Sequence, residues 1–328
     1  METSQRDELC FPQLFNKSCS KPTPAQSDVL LANILLSFIA LITAALNLLV
    51  IISISHFRQL HTPTNLLILS LAVSDFLVGL ILMPVEIIST ETCWYLGDLM
   101  CALYNIVGFI ITSSTVGNIV LISIDRYFAI CDPLHYTTRV TVSRTKICIC
   151  LCWICSVIYN CLILKDFLRQ PDAENSCHGE CVVVIDNITG AVDLVVNFIA
   201  PITVIIVLYI RVFVVAVSQA RAMRSHVIAV TMQRSVGAKK SEMKAARTLG
   251  VVVLVFLICF FPYYAPSLIG EDIENISSIS LIVVWLLYFN SCLNPVIYAF
   301  LYPWFRKSIK LIVTLKILQS YSCDSKIL

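Results

Sequence analysis

Residues 29–55 read VLLANILLSFIALITAALNLLVIISIS, with no charged side chain anywhere in the run. A helix needs about 20 mostly apolar residues to cross the hydrocarbon core of a bilayer, and this stretch exceeds that length. Six further stretches have the same character: 64–90, 100–124, 147–164, 188–210, 248–270 and 276–302. The strands of a transmembrane barrel would be about half as long and would alternate polar with apolar residues. Inside lipid the backbone must satisfy its own hydrogen bonds, so runs of this length are helices. The expected fold class is an all-α membrane protein, a seven-transmembrane helix bundle.

Composition agrees. The 328 residues are 58% hydrophobic and 13% charged, with a mean hydropathy of +0.85. Soluble proteins carry about 25% charged residues, so roughly half the usual charge is missing. What remains lies between the apolar runs, and its distribution sets orientation. His56, Arg58 and His61 follow the first span, and Arg139, Arg144 and Lys146 follow the third. Arg221, Arg224, Arg234, Lys239, Lys240, Lys244 and Arg247 follow the fifth, and Arg306, Lys307 and Lys310 the seventh. These segments are expected to face the cytoplasm. The loops holding Asp98, Asp172, Glu174, Glu271, Asp272 and Glu274 face outward, as does the N-terminal tail. The N-terminus shows no cationic stretch followed by a cleavable apolar core, so the first helix is expected to act as its own insertion signal. The organisation is an outer tail (1–28), a membrane domain (29–302) and an inner segment (303–328). In the last, residues 304–313 read as a short amphipathic helix on the lipid surface.

Many of the fifteen cysteines lie within spans, where they pack as small apolar residues. Cys10, Cys19, Cys93, Cys101, Cys177 and Cys181 face the oxidising side, where disulfides persist. Cys177-His178-Gly179-Glu180-Cys181 lacks the rest of a four-ligand metal set, so disulfide roles lead. Sequons stand at Asn16, Asn187 and Asn275; Asn16, in the tail, is the best glycosylation candidate.

Polar groups inside spans are costly and therefore informative. They are Asn47, Asp75, Glu86, Asn118, Asp193, Asn197, Asn290 and Asn294. Asp75, Asn290 and Asn294 are expected at one depth near mid-membrane. Two readings stand there: a water-bridged polar cluster, or a sodium site completed by Ser74, Thr115 and Asn290. Asp125-Arg126-Tyr127 ends the third span on the inner side, and Glu242 opens the sixth helix there. An Arg126–Glu242 pair would hold two helix ends together and release Arg126 on opening. Pro201, Pro262 and Pro295 remove backbone hydrogen bonds within spans and give hinge points.

Together these residues resemble the rhodopsin-like G-protein-coupled receptors across nearly the whole chain. The matches are Asn47, Leu71 through Asp75, Asp125-Arg126-Tyr127, Trp153, Pro201 with Tyr209, Phe256 through Pro262, and Asn294-Pro295-Val296-Ile297-Tyr298. Within that group, Asn290 through Phe305 resembles the seventh helix of the trace amine-associated receptors. Glu91 through Tyr95, Lys244 through Gly250 and the Cys177–Cys181 spacing are similar to the same family. The resemblance implies disulfides Cys101–Cys181 and Cys19–Cys177, with Cys10 the alternative to Cys19. It implies an amine ligand, a stimulatory heterotrimeric G protein that raises cyclic AMP, and residence in the plasma membrane, in the cilia of olfactory neurons. Asp75, Thr115, Asn290, Asn294 and Tyr298 would serve sodium binding and activation. Asp125, Arg126, Tyr127, Tyr209 and Glu242 would serve G-protein coupling.

Two positions depart from the family. The amine-binding aspartate usual in the third helix, eighteen residues before the arginine of Asp-Arg-Tyr, is Gly108, and the span 100–124 holds no carboxylate. The usual sixth-helix tryptophan is Phe260. Asp193, eight residues before Pro201, supplies another anchor, since a carboxylate among Val192, Leu194, Val195 and Val196 needs a cation. A protonated amine meets that need through a charge-assisted hydrogen bond, with Asn197 one turn deeper. Phe260, Tyr263, Tyr264 and Tyr288 offer cation–π faces, and Thr112 completes the ligand set. Some family members likewise carry the acidic anchor on the fifth helix. The alternatives for Asp193 are contact with outer water or a pair with Lys165. Glu86 is either a second anchor for a diamine or an interfacial flank. Cys323 is either palmitoylated or free.

Other classes fare worse. No internal repeat supports a transporter. No Ser-His-Asp set, histidine-rich metal site or glycine-rich phosphate loop supports an enzyme. Neither a cofactor nor nucleic acid is expected, and sodium is the one ion the sequence admits. A receptor of the same scaffold for a non-amine odorant or metabolite stays open because of Gly108.

Overall fold

The computed structural model describes residues 9–14, 18–20, 28–165, 177–179, 181, 183, 187–225, 250–266, 268, 277–319, 322–324 and 327. Helix α1 spans Asp28–His56. Helix α2 runs Pro63–Leu77, passes through a π-turn at Val78–Leu82 and resumes over Met83–Glu91. Helix α3 is Gly97–Cys131 and α4 is Val142–Ile163. Helix α5 comprises Asn187–Asp193, a π-turn at Leu194–Ile199, and Ala200–Ser225. The described part of α6 includes Gly250–Pro266, and α7 is Ser277–Leu301. Six of these are long and apolar enough to cross a membrane, with Gly250–Pro266 a shorter apolar helix.

Local chemistry sets the boundaries. Thr62 caps α2 by accepting from the Asn65 amide at 3.3 Å, with Pro63 at the first helical position, where its missing N–H costs nothing. Thr141 caps α4 in the same way through the Arg144 amide. The π-turns at Val78–Leu82 and Leu194–Ile199 lie just before Pro84 and Pro201. A proline ring clashes with the carbonyl four residues back, and an inserted residue relieves that clash by widening the turn. Pro201 is thus a hinge with an identifiable geometry. The turn before Pro84 lay outside the sequence expectations.

The third helix corrects an expectation. It does not end at Asp125-Arg126-Tyr127 but continues to Cys131, and a short inner helix, Pro133–Arg139, follows. Asp132 sits between the two helices and bonds His135 at 2.7 Å and Arg139 at 3.3 Å. The His135 bond holds the Asp132 carboxyl below its usual range.

Large apolar side chains point outward in a belt, including Leu31, Leu35, Phe38 and Leu41 on α1. A soluble protein rarely exposes so continuous an apolar surface; lipid is the solvent here. Inward, Leu71, Ile119, Phe198, Ile205, Phe256 and Phe260 form a core joining α2, α3, α5 and α6. Asn47 donates to the Ser291 carbonyl at 3.0 Å and ties α1 to α7. Trp153 donates to Ser70 at 3.1 Å and ties α4 to α2.

Helices α1 and α2 approach at Gly79, where a Cβ would lie 2.7 Å from the Ala44 nitrogen and 3.0 Å from the Thr43 Cβ. Gly79→Val is expected to cost about 1–3 kcal/mol through overpacking, read as a lower unfolding temperature in detergent. Gly108→Ala is the control, because its Cβ would meet Leu82 at an ordinary 3.6 Å.

Helix α8, Pro303–Val313, follows α7 with Trp304 and Phe305 buried and Lys307 and Lys310 exposed. This is the amphipathic helix expected from the sequence. Arg306 caps α7 by donating to the carbonyls of Ala299 (2.8 Å) and Phe300 (2.9 Å). Beyond it, Ile327 is buried and its amide donates to Gln59 at 3.2 Å. Cys323 is half-buried in the turn Ser322–Asp324 and is not in a disulfide.

Candidate ligand and signalling sites

Three disulfides gather at the outer end. The structure pairs Cys101 with Cys181 and Cys19 with Cys177, as the resemblance implies, and adds Cys10 with Cys93. Backbone bonds reinforce the lid: Cys10 N–H to Cys19 O (2.8 Å), Cys19 N–H to His178 O (3.0 Å) and Trp94 N–H to Gly179 O (2.9 Å). Gly179 has φ +111°, and a Cβ there would come within 2.7 Å of the Cys10 Cβ, so only glycine fits. The sequons at Asn16 and Asn275 lie outside the described residues, and Asn187 begins α5.

Asp193 ends the first segment of α5, immediately before the π-turn. Its carboxylate accepts from Asn197 Nδ2 (2.6 Å), Tyr159 Oη (3.3 Å) and Tyr264 Oη (3.4 Å). The expected setting among valines is corrected. Val192, Val195 and Val196 are 42%, 50% and 44% exposed and face lipid, while Asp193 faces α4 and α6. Helical geometry explains the difference, because neighbours one residue away point about 100° apart. Among the described residues no ion pair joins Asp193 to Lys165. Tyr159 was not singled out in the sequence; nothing in the periodicity of α4 distinguishes it from its lipid-facing neighbours.

Aromatic side chains surround this carboxylate. Tyr264 stacks on Phe198 with centroids 4.7 Å apart and meets Tyr263 edge-on at 4.9 Å. Below them Phe260, in the usual tryptophan position, is buried against Phe256 at 4.2 Å. Tyr288 is buried on α7, and Thr112 is half-buried on α3, one turn below Gly108. On the other side of the bundle, Glu86 accepts from Tyr104 Oη at 3.0 Å.

Deeper, Asp75 is fully buried and accepts from Ser291 Oγ (2.7 Å) and Asn294 Nδ2 (2.8 Å). Ser291 was not anticipated, and Ser74 is corrected: its hydroxyl donates to the Ser70 carbonyl of its own helix. Asn290 and Thr115 are buried, and both polar atoms of the Asn290 side chain have no partner among the described residues.

At the inner end, Arg126 bonds Asp125 at 2.5 Å and also donates to Thr64. Asp125 accepts from Thr64 Oγ1 and from Tyr136 Oη, each at 2.8 Å. Burial, then the Asp125 charge, push the Tyr136 hydroxyl up to about 12, so it remains a donor. Thr64 and Tyr136 were not predicted, since only folding brings α2 and the short inner helix to Asp125. Tyr209 and Tyr298 hold hydroxyls without partners among the described residues, and Tyr127 packs edge-on against Phe128. Glu242, the expected partner of Arg126, lies outside the described residues.

A helical bundle with aromatic side chains around a carboxylate at its outer end, a buried carboxylate deeper in and an inner arginine lock is the arrangement of a seven-helix membrane receptor. Residues 46–298 match the family described as 7 transmembrane receptor (rhodopsin family). The chain is 38% identical over 328 residues to Trace amine-associated receptor 8a of Rattus norvegicus, covering 96% of this chain and 95% of that protein. It is 38% identical over 327 residues to Trace amine-associated receptor 7e of Rattus norvegicus, with 96% and 90% covered. It is 35% identical over 332 residues to Trace amine-associated receptor 13c of Danio rerio, with 97% and 95% covered. The chain belongs to the trace amine-associated receptor family of G-protein-coupled receptors. It is a multi-pass membrane receptor and not an enzyme, with a small-molecule ligand and a G protein as partners.

Proposed function

We propose that this receptor responds to amines, holds the ligand ammonium on Asp193, and raises cyclic AMP through a stimulatory G protein. The observation that carries the reading is an Asp193 carboxylate turned toward aromatic side chains of α4 and α6, with three donors and no cation beside it among the described residues. An ammonium adds the missing charge, and the surrounding rings attract it further. The similar proteins are named for trace amines, and Asp193 supplies here what Gly108 withholds. The proposed location is the plasma membrane of olfactory cilia, with Asn16 glycosylated.

Activation is a population shift. A ligand bridging Asp193 on α5 and the α6 aromatics favours an arrangement with α6 swung outward at its inner end. Arg126, Tyr127, Tyr209 and Tyr298 then line the G-protein cavity. Asp125→Asn weakens the inner lock and is expected to raise ligand-free cyclic AMP several-fold per surface receptor. The buried set of Asp75, Thr115, Asn290 and Asn294 is the proposed sodium site, a reading supported by the buried Asp75 carboxylate and by an Asn290 side-chain oxygen with no partner among the described residues. Sodium would stabilise the closed arrangement.

A panel of monoamines, diamines and neutral odorants, read by cyclic AMP, tests the reading. Responses confined to amines support it; responses confined to neutral compounds favour a non-amine receptor.

A further inference from the structure

Beyond α8 the chain turns back toward the start of the bundle. Leu315, just past the helix end, has φ +55°, the one positive φ at a non-glycine position among the described residues. A left-handed leucine is costly and persists only where the surroundings hold it. Its side chain is 66% exposed, so it gains nothing there itself. The restraint comes from further along. The chain passes through the turns Lys316–Leu318 and Ser322–Asp324, and the second of these meets the turn Arg58–Leu60 between α1 and α2.

Three anchors fix the segment in place. The Ser322 hydroxyl donates to the Ile317 carbonyl at 2.5 Å, and its oxygen accepts from His56 Nε2, at the end of α1, at 2.9 Å. The Ile327 amide donates to Gln59 Oε1 at 3.2 Å. The Ile327 side chain, 1% exposed, joins a buried cluster that holds Phe57, Leu60, Trp304 and Phe305. An apolar centre with hydrogen bonds at its rim is how a docked peptide is held.

The same cluster contains Val252 of α6 and Ile297 and Tyr298 of α7. Outward motion of α6, with Tyr298 turning to the G-protein cavity, takes this cluster apart. A side chain buried in the assembled cluster weighs toward the closed arrangement, because a contact shifts an equilibrium by the difference in its strength between the two states.

We propose that residues 316–327 form a built-in latch, seated on the surface made by the Arg58–Leu60 turn and α8, that opposes G-protein coupling. The proposal rests on the reading that α6 swings outward and requires no particular class of G protein. The competing role is structural, with the segment only completing the fold.

The test is ligand-free loading of a slowly hydrolysed GTP analogue onto co-expressed Gα subunits of each class, normalised to surface receptor. Ile327→Asp puts a charge into the buried cluster and is expected to raise loading at least about threefold. Leu315→Pro, at an exposed position, forbids the left-handed bend and is expected to act in the same direction. Leu318→Asp adds the same charge to the same segment at a position 79% exposed, and is expected to stay within about twofold of wild type. Docking is checked separately in purified receptor, with Cys323→Ser as background and maleimide labelling read by peptide mass. Ile327→Cys is expected to label at least about tenfold more slowly than Leu318→Cys. Equal labelling rates overturn the docked segment. No rise in any Gα class for Ile327→Asp, or an equal rise for Leu318→Asp, overturns the latch, and a lowered unfolding temperature with unchanged loading assigns the segment to the fold alone. A rise confined to a class that does not raise cyclic AMP supports the latch and contradicts the stimulatory reading.

Discussion

Asp193→Asn is expected to lower amine potency by about 100-fold or more while leaving surface receptor within about twofold of wild type. Losing one partner of a buried charge pair costs about 2–5 kcal/mol, and each 1.4 kcal/mol is about tenfold in affinity. Asparagine is nearly isosteric, and its carbonyl oxygen still accepts from Asn197, Tyr159 or Tyr264. The fold is therefore retained and the charge is lost. Tyr264→Phe removes only a 3.4 Å contact, with an expected loss of about three- to tenfold. Cyclic AMP dose–response against an amine agonist, with surface immunolabelling in parallel, separates binding from expression. An equally potent Asp193→Asn receptor would place the ammonium elsewhere.

The second large effect concerns the outer lid. Cys101→Ser or Cys181→Ser is expected to remove most receptor from the cell surface. Loss of a native disulfide typically costs about 2–5 kcal/mol, and this one ties the outer start of α3 to the segment that precedes α5. Asn105 contacts both sulfurs, at 3.5 and 3.4 Å, so the pair is built into the helix packing. Cys10→Ser is expected to have a smaller effect, because Cys19–Cys177 and the Cys19–His178 backbone bond still hold the tail. Surface labelling of intact cells and unfolding temperature in detergent measure the order. Wild-type surface levels for Cys181→Ser would show that the lid does not organise the bundle.

The bundle was legible in the sequence because lipid imposes a strong pattern: a run such as 29–55 has no other stable form. Asp75 and Asp193 were legible for the same reason, as charged groups in apolar runs. Their partners were not. Ser291 reaches Asp75 from a helix far along the chain, and Tyr159 reaches Asp193 from α4, contacts that periodicity within one helix does not encode. The π-turn before Pro84 escaped because a proline marks a disturbance without specifying its geometry. Cys93 lacked a partner in the sequence because pairing depends on where the tail lies, and the tail lies against Gly179. The arginine lock was half visible: Asp125 and Arg126 are adjacent in sequence, whereas Thr64 and Tyr136 meet them only after folding.

The most direct measurement is equilibrium binding of an amine and its hydroxyl isostere to wild-type and Asp193→Asn receptor, as a two-by-two cycle. If Asp193 holds the ammonium, the wild type prefers the amine by about 100-fold or more, and the variant loses that preference because only the cation depends on the carboxylate. Retention of the full amine preference in Asp193→Asn would contradict the anchor.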